Sequence, residues 1–354
     1  MQKILTINPG STSTKIAIYE NQAPVFTTNI SHSVDELLPF HTIAEQFEFR
    51  KEKILTSLAK NGIATDDFTI VVGRGGLLRP IESGVYAVNE QMLDDLRTGR
   101  YGEHASNLGA MLAYEIARTI PNCRAFIADP VVVDELQDVA RISGLPQIPR
   151  RSIFHALNQK AVARKYAAQK GVPYETLNII VAHLGGGISV SVHCQGRVID
   201  TNQALGGYGP FSPERAGTID AEQLTALCFS GEYSEMQIRK LLVGQGGLVA
   251  HLGTNDGRVV EQRAREGDPL TTLITNAMAY NIAKEIGSML PVLKGKAECV
   301  IITGGTAYNP LIVKYIKEML EPLLPVVIFP GEDEMEALAM AGTRIMDGEK
   351  AKIY

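Results

Sequence analysis

At 354 residues the chain has room for about two domains, and a composition of 45% hydrophobic and 21% charged residues is that of a globular protein able to bury a full core. Its net charge of −5 excludes a global attraction for nucleic acid or an anionic membrane, so any anion site must be assembled locally from backbone dipoles and a few placed cations. The four cysteines, Cys123, Cys194, Cys228 and Cys299, are widely spaced with no C-x-x-C pair, which predicts reduced core thiols and a cytosolic (cytoplasmic) compartment.

The chain opens on a strand where a secreted protein has a basic-then-apolar leader. It also lacks an apolar run near ~18 residues, so it is expected to be neither secreted nor membrane-spanning. From Ile4 to Ile30 it reads as strand, tight turn, strand of alternating polarity, second turn and third strand. The first turn, Asn8-Pro9-Gly10-Ser11-Thr12-Ser13-Thr14-Lys15, offers backbone N–H groups and hydroxyls at a strand edge, with no bulky Cβ at Gly10 to hold an anion off. It is not a P-loop, because the four-residue gap before Gly-Lys-Ser/Thr is missing and a strand follows where a helix should.

A helix is expected from about Thr42 to Asn61, with Ile43, Phe47, Ile54, Leu55 and Leu58 near one face and Asn61-Gly62 as its stop. The strand Phe68 to Val72 runs into Gly73-Arg74-Gly75-Gly76, which fits either a bent strand end that aims the guanidinium or a flexible surface turn. Tyr86 to Val88 reads as a short strand and Glu90 to Leu96 as a helix start. His104 and Asn107 stand three apart at the start of an apolar helix that reaches Ile120, and they suit either an anion held at a helix N-terminus or plain capping. The strand Arg124 to Ala128 ends at Asp129-Pro130, which puts a carboxylate at the sheet edge where ligands of α/β proteins sit. Pro146, Pro149 and Arg150-Arg151 mark a crossing between lobes, and a helix follows from about His155 to Gln169.

From Ile179 to Asn202 the three-strand pattern returns. Its turn, His183-Leu184-Gly185-Gly186-Gly187, again leads into a strand, which argues against a dinucleotide-binding fold. Either turn alone is equally well a plain hairpin. The recurrence half a chain apart predicts a duplicated domain with one phosphate loop from each half. The loop Leu205 to Gly217, including Gly206, Gly207 and Gly209, is too rich in Gly and Pro for regular structure, and a loop that long in a compact domain is more often functional than idle.

Helices fill most of Ala221 to Leu290, and the last strands are Glu298 to Thr303 and Val326 to Phe329. The turn Thr303-Gly304-Gly305-Thr306 suits a nucleotide, and a closing helix from about Asp333 to Met346 is expected to pack back on the first lobe. His32, His41, His193 and His251 have no motif context and read as surface or packing residues, and no metal-ligand spacing predicts a structural zinc. The expected fold is α/β, two duplicated lobes each with a mixed β-sheet flanked by helices, built from residues 1–150 with 335–354 and from 151–334.

In order along the chain, Asn8 to Lys15, Phe154-His155, His183 to Gly187, Glu214-Arg215-Ala216-Gly217-Thr218-Ile219-Asp220, Ile302 to Thr306 and Pro330-Gly331-Glu332-Asp333-Glu334-Met335 resemble motifs of the acetate kinase family, in the form typical of butyrate kinases. The resemblance implies two similar lobes of the sugar kinase, Hsp70 and actin superfamily that clamp ATP/ADP and a metal ion. It further implies reversible phosphoryl transfer between ATP and a short-chain carboxylate. By that resemblance Asn8, Gly10, Ser11, Ser13 and Lys15 belong to the first phosphate loop, and His183, Gly185, Gly186 and Gly187 to the second. Gly304, Gly305 and Thr306 lie against adenosine, and Asp129 and Glu334 organise Mg²⁺ (Mg2+). His155 and Arg215 neutralise the phosphoryl group in flight, with His104 near the acceptor.

The acetate-specific form has Arg-Val-Val-His-Gly-Gly where this chain has Val71-Val72-Gly73-Arg74-Gly75-Gly76. Its arginine falls on Val71, so Arg74 is expected to take over carboxylate binding from a shifted position. Gly73 in place of valine would widen the pocket for a longer acyl chain, where one methylene is worth about 1–3 kcal/mol of discrimination. The acetate form also has Asn at the position of Gly186, so a polar contact to phosphate is missing. A carboxylic acid with a pKa of ~4–5 is ionised at pH 7 and needs no general base. The task is to bring two anions together in line, for which Arg74, Arg215, His155, His183 and Mg²⁺ supply positive charge while Asp129 and Glu334 orient the metal's waters.

Butyrate is the expected acid, with isobutyrate, branched-chain acids or propionate as rivals. An ATP-switched binding protein of the actin and Hsp70 type is the more remote alternative, against which stands the lack of an appended peptide-binding domain or long tail after Tyr354. A homodimer or higher homo-oligomer is expected, with no nucleic-acid or membrane partner.

Overall fold

The computed structural model describes residues 3–206 and 208–354, so Gly207 of the expected loop lies outside the described residues. The chain forms two compact units, Met1–Val133 with Ala156–Ala161 and Asp333–Tyr354, and Asp134–His155 with Val162–Glu332. Residues 134–150, assigned to the first lobe from sequence, cluster with the second unit. They are stitched there by Gln137 N–H donating to the Ile199 carbonyl (3.0 Å) and Val198 N–H donating to Glu135 Oε2 (2.8 Å).

In the first unit β1 (Lys3–Pro9), β2 (Ser13–Glu20) and β3 (Ala23–Ser31) form an antiparallel meander. β4 (Phe68–Arg74) joins β1 in parallel, β6 (Arg124–Ala128) joins β4 in parallel, and β5 (Val85–Ala87) and the strand Lys352–Ile353 complete the outer side. In the second unit β7 (Asn178–Leu184), β8 (Ile188–Cys194) and β9 (Arg197–Thr201) repeat the meander, and β10 (Cys299–Gly304) and β11 (Val326–Pro330) repeat the two parallel additions. The order β3-β2-β1-β4-β6 is therefore matched by β9-β8-β7-β10-β11, which gives the expected duplication a topology.

The central strands are runs of β-branched and aliphatic residues because both faces of each sheet are covered. Leu5, Ile7 and Val71 join the core on one face of the first sheet, and Ile4, Ile70 and Val72 join Met335, Leu338 and Ala341 of the closing helix Glu334–Met346 on the other. In the second sheet Ile180, Ala182 and Ile302 pack with Met278 and Ile282 of the helix Pro269–Met289. Ile179, Val181 and Ile301 pack with Val162, Ala163 and Tyr166 of the helix Ala156–Lys170.

The expected helix near residue 42 begins with a single 3₁₀ turn, Ala44–Gln46, and continues as Phe47–Lys60. Ile54 and Leu58 are buried in it, whereas Leu55 is exposed. All four cysteines are unpaired, but only Cys299 is a buried core thiol and Cys228 is exposed. Among the described residues no helix is long and apolar enough to cross a membrane.

Gly73 does not widen a pocket. A Cβ there would fall on the carbonyl of Gly109 in the helix Asn107–Ala117, and a Cβ on Gly109 would fall on the Arg74 carbonyl, so these glycines let helix and strand backbones touch. The buried Asn107 fixes the same junction through Leu77 N–H donating to its Oδ1 (2.8 Å) and its Nδ2 donating to the Gly102 carbonyl (2.9 Å). Gly73→Val is expected to cost on the order of 3 kcal/mol or more, seen as a lowered unfolding midpoint or loss of soluble protein, and not as a shifted acyl-chain preference in a stable enzyme.

His32 is buried against Thr14 Oγ1 (2.9 Å) with Phe49 edge-on at 5.2 Å, as a packing residue. Burial first, then the Arg50 charge, lowers its pKa from 6.5 to about 4, with Lys53 adding to this and Glu36 opposing it. The folded chain thus binds fewer protons here than the unfolded one. The contribution is full above about pH 6.5 and is lost as pH falls towards about 4, by on the order of 3 kcal/mol. Denaturation midpoints across that window should fall less steeply in His32→Gln; an unchanged slope would exclude His32 as the titrating group.

Candidate active site

Because β1, β4 and β6 are parallel neighbours, with Ile7 paired to Gly73 and Gly73 to Ile127, their C-terminal ends form one row. That row delivers Asn8, Arg74 and Asp129 to the edge where open α/β sheets bind ligands. Asn8 Nδ2 donates to Glu334 Oε2, and Arg74 Nη1 donates to Asn8 Oδ1 (3.2 Å) and lies 3.0 Å from Glu334 Oε1. Arg74, expected at the acid, is thus tied to Glu334 and Asn8, with about a quarter of its side chain (24%) exposed.

The Asp129 carboxylate accepts from Ser83 Oγ (2.7 Å) and Gly84 N–H (2.8 Å). Its backbone φ of 38° lies in a region that residues other than glycine enter at a cost, often at functional positions. His104 Nδ1 lies 2.8 Å from Ser106 Oγ and accepts from Ser106 N–H (3.2 Å), and Ser106 itself is the N-cap residue of the helix Asn107–Ala117. Lys15 is exposed on β2 directly across from Asn8, Ser11 is exposed and Ser13 half-buried.

The second unit repeats the row. Thr303 pairs with His183 and Gly304 with Pro330, so β7, β10 and β11 end together. His183 is fully buried, its Nε2 3.1 Å from Glu332 Oε1 and its Nδ1 without a hydrogen-bond partner among the described residues. An unsatisfied buried nitrogen of this kind calls for an explanation. The His183 ring stacks on His155 at 4.0 Å between centroids, and His155 Nδ1 lies 2.8 Å from Ser189 Oγ.

The long loop brings in Arg215, held in a β-bridge to Val243, with its Nη1 donating to the Ala204 carbonyl. Burial pushes the Arg215 guanidinium below its ordinary value, with the neighbouring Glu214 charge opposing. Ser212 Oγ donates to the Gly186 carbonyl at 2.5 Å, tying this loop to the glycine turn.

A cleft of about 710 Å³ opens within the second unit, inside the ordinary range for small-molecule sites. Gly185 and Gly186 line one part of it, Gly305, Thr306 and Tyr308 another, and Leu248, Val260, Met278 and Ile312 give it an apolar wall. Two turns singled out from sequence therefore meet in one cavity. Asn255, Asp256 and Arg258 also line it and carried no assignment. Their only sequence signal is the turn-forming Asn-Asp-Gly, and Asn255 Nδ2 donates to Glu214 Oε1 at 2.5 Å. Glu332 was likewise unassigned, although it lies inside a recognised motif.

The glycines divide by what requires them. Gly304 has φ 93° and its Cβ would meet the Leu184 backbone, Gly185 faces Glu332, and a Cβ at Gly187 would overlap the Arg215 guanidinium. Gly10, Gly186 and Gly305 meet nothing closer than 3.5 Å, so the chain's own packing does not demand glycine there; close approach by a ligand would.

Among the described residues no group of three or more His, Cys, Asp or Glu is arranged to hold a metal ion. Of the two carboxylates expected at Mg²⁺, Asp129 accepts from Ser83 and Gly84 and Glu334 is held by Asn8 and Arg74, so both already have protein partners.

The fold is that of the acetate kinases and, more distantly, the sugar kinases. A Porphyromonas gingivalis acetate kinase superposes with a TM-score of 0.79 at 19% identity, covering 98% of this chain and 100% of that one. A Francisella tularensis propionate kinase gives 0.77 at 19%, covering 96% and 99%. A Listeria monocytogenes protein described as an N-acetylmannosamine kinase gives 0.50 at 14%, covering 98% and 100%. At these identities the likeness is one of fold.

The chain belongs to the acetokinase family, whose model matches residues 147–352, more than half of its length. It is a phosphotransferase of the kind that takes a carboxylate as acceptor and uses ATP or ADP.

The overlap at Gly187 involves the far end of a flexible side chain, so Gly187→Ala should fold while displacing Arg215. Turnover is expected to fall about ten- to a hundredfold with little change in the unfolding midpoint; normal turnover would show that the Arg215 position is not critical.

Proposed function

We propose that the protein is a butyrate kinase, catalysing butyrate + ATP = butyryl phosphate + ADP by direct in-line transfer. The observation that carries the nucleotide half of this is the second-unit cleft, where the glycine turn at Gly185 and Gly186 and the turn at Gly305 and Thr306 share one cavity with an apolar wall. An adenine ring suits Leu248, Val260, Met278 and Ile312, and the triphosphate suits the two backbone turns. Butyrate as the acid is supported by the ordered motif set, from Asn8-Pro9-Gly10-Ser11 to Pro330-Gly331-Glu332-Asp333-Glu334, in its butyrate kinase form.

The reacting carboxylate is already ionised, so the residues have charge to hold and no proton to remove. Arg215, half-buried and anchored at Ala204, would neutralise the equatorial oxygens of the moving phosphoryl group. The stacked His155 and His183 add donors, His155 being held against Ser189 and His183 against Glu332. In the first unit Asn8, Gly10, Ser11, Ser13 and Lys15 would act on the phosphates, and Arg74 and His104 on the acid. Arg74 would have to share its guanidinium with Glu334. Bound with the nucleotide, Mg²⁺ would screen phosphate charge, and Asp129 and Glu334 would hold its waters.

Wild-type protein should release ATP from butyryl phosphate and ADP, and Arg215→Ala should lower kcat about 10²–10³-fold while remaining folded. Near-normal turnover in that variant would remove Arg215 from the catalytic set. A panel of acetate, propionate, butyrate and isobutyrate would overturn the choice of butyrate if another acid gave the higher kcat/KM.

A further inference from the structure

Arg50 was given no role from sequence and lies outside the reacting groups described above, yet it is completely buried. From the helix Phe47–Lys60 its Nη1 donates to the carbonyls of Gly10 (2.7 Å) and Ser13 (3.0 Å) and to Thr14 Oγ1 (3.1 Å). Its Nη2 donates to the Ser11 carbonyl (3.1 Å) and Gln46 Oε1 (2.8 Å), and its Nε to Gln46 Oε1 (3.1 Å). The one carbonyl of the loop that it leaves, Thr12, accepts from His32 N–H at 2.8 Å. All four carbonyls from Gly10 to Ser13 are thus taken by donors. The N–H groups of Ser11 and Thr12 have no acceptor among the described residues, and both residues are exposed.

A loop with its carbonyls consumed and its N–H groups unspent is an anion cradle. Among the described residues every hydrogen-bond partner of Arg50 is a neutral oxygen, and burial lowers its pKa to about 10. A buried cation without a counter-ion is costly to keep unless something else compensates it. The hydrogen bonds account for part of that, and an anion on the other side of the loop would account for the rest.

We propose that Arg50 is a positioning residue for the nucleotide phosphates: it takes up the loop's carbonyls so that the N–H groups are left for phosphate, and sets a fixed positive charge beneath them. This rests on the kinase reading of the first loop.

Arg50→Lys keeps the charge but loses the two-armed fork, and Arg50→Gln loses both. Calorimetric titration of the full-length variants with ATP and with adenosine, alongside their unfolding midpoints, separates positioning from scaffolding. ATP affinity should fall about ten- to a hundredfold, less in Arg50→Lys than in Arg50→Gln, with adenosine affinity within about twofold of wild type. Unchanged ATP affinity in a folded variant, or ATP and adenosine affinities falling together, would overturn the proposal. If Arg50→Gln does not fold, Arg50→Lys alone carries the comparison. A wild-type protein that bound ATP no more tightly than adenosine would defeat the kinase reading itself, a different failure from a variant that matches wild type.

Discussion

Parallel pairing of three neighbouring strands is the constraint on which both candidate sites depend. Parallel strands end in the same direction, so β1, β4 and β6 must deliver Asn8, Arg74 and Asp129 to one edge, and β7, β10 and β11 must deliver His183, Gly304 and the segment reaching Glu332 to another. The chemistry at the two edges differs while the carpentry is the same. One edge carries an amide, a guanidinium and a carboxylate, and the other an imidazole and glycine turns. Duplication of the βββ meander with two parallel additions is what allows this: a single topology sets strand ends in place, and the residues just beyond them are free to diverge.

Both units hold positive charge in low-dielectric surroundings with oxygen acceptors that are mostly uncharged. Arg50 is bonded to carbonyls and a glutamine, and Arg215 to the Ala204 carbonyl. A guanidinium satisfied by neutral acceptors has no partner charge to offset its field at an incoming anion, whereas the field of one paired to a carboxylate is partly cancelled. Arg74 belongs to the second kind through Glu334, and His183 is set by Glu332. The molecule thus carries arginines with neutral partners and an arginine paired to a carboxylate.

Arg50 and Gly73 show where local pattern runs out. On the helix Phe47–Lys60 the buried positions Arg50, Ile54 and Leu58 recur at four-residue spacing, so the period itself put an arginine on the apolar face and asked for a partner. Leu55, counted on that face, is exposed because one further residue turns the side chain about 100° away. Gly73 carried a plausible meaning by alignment with a valine, but its purpose is contact with Gly109, which is remote in sequence. Asn255, Asp256 and Arg258 were passed over because turn signals are common and say nothing of what lies opposite.

The amino-acid sequence by itself determined the strand and helix succession, the duplication and the two glycine turns, because hydrophobic period and turn chemistry act over a few residues and are written locally. It also carried the family, through six motifs in order. Only the tertiary structure decided that the segment from Asp134 to Arg150 goes with the second unit, that Arg74 is held by Glu334, and that Arg50 consumes the first loop's carbonyls. Those outcomes depend on hydrogen bonds and backbone contacts between residues tens to hundreds of positions apart, and no local pattern records which partner a buried donor will find.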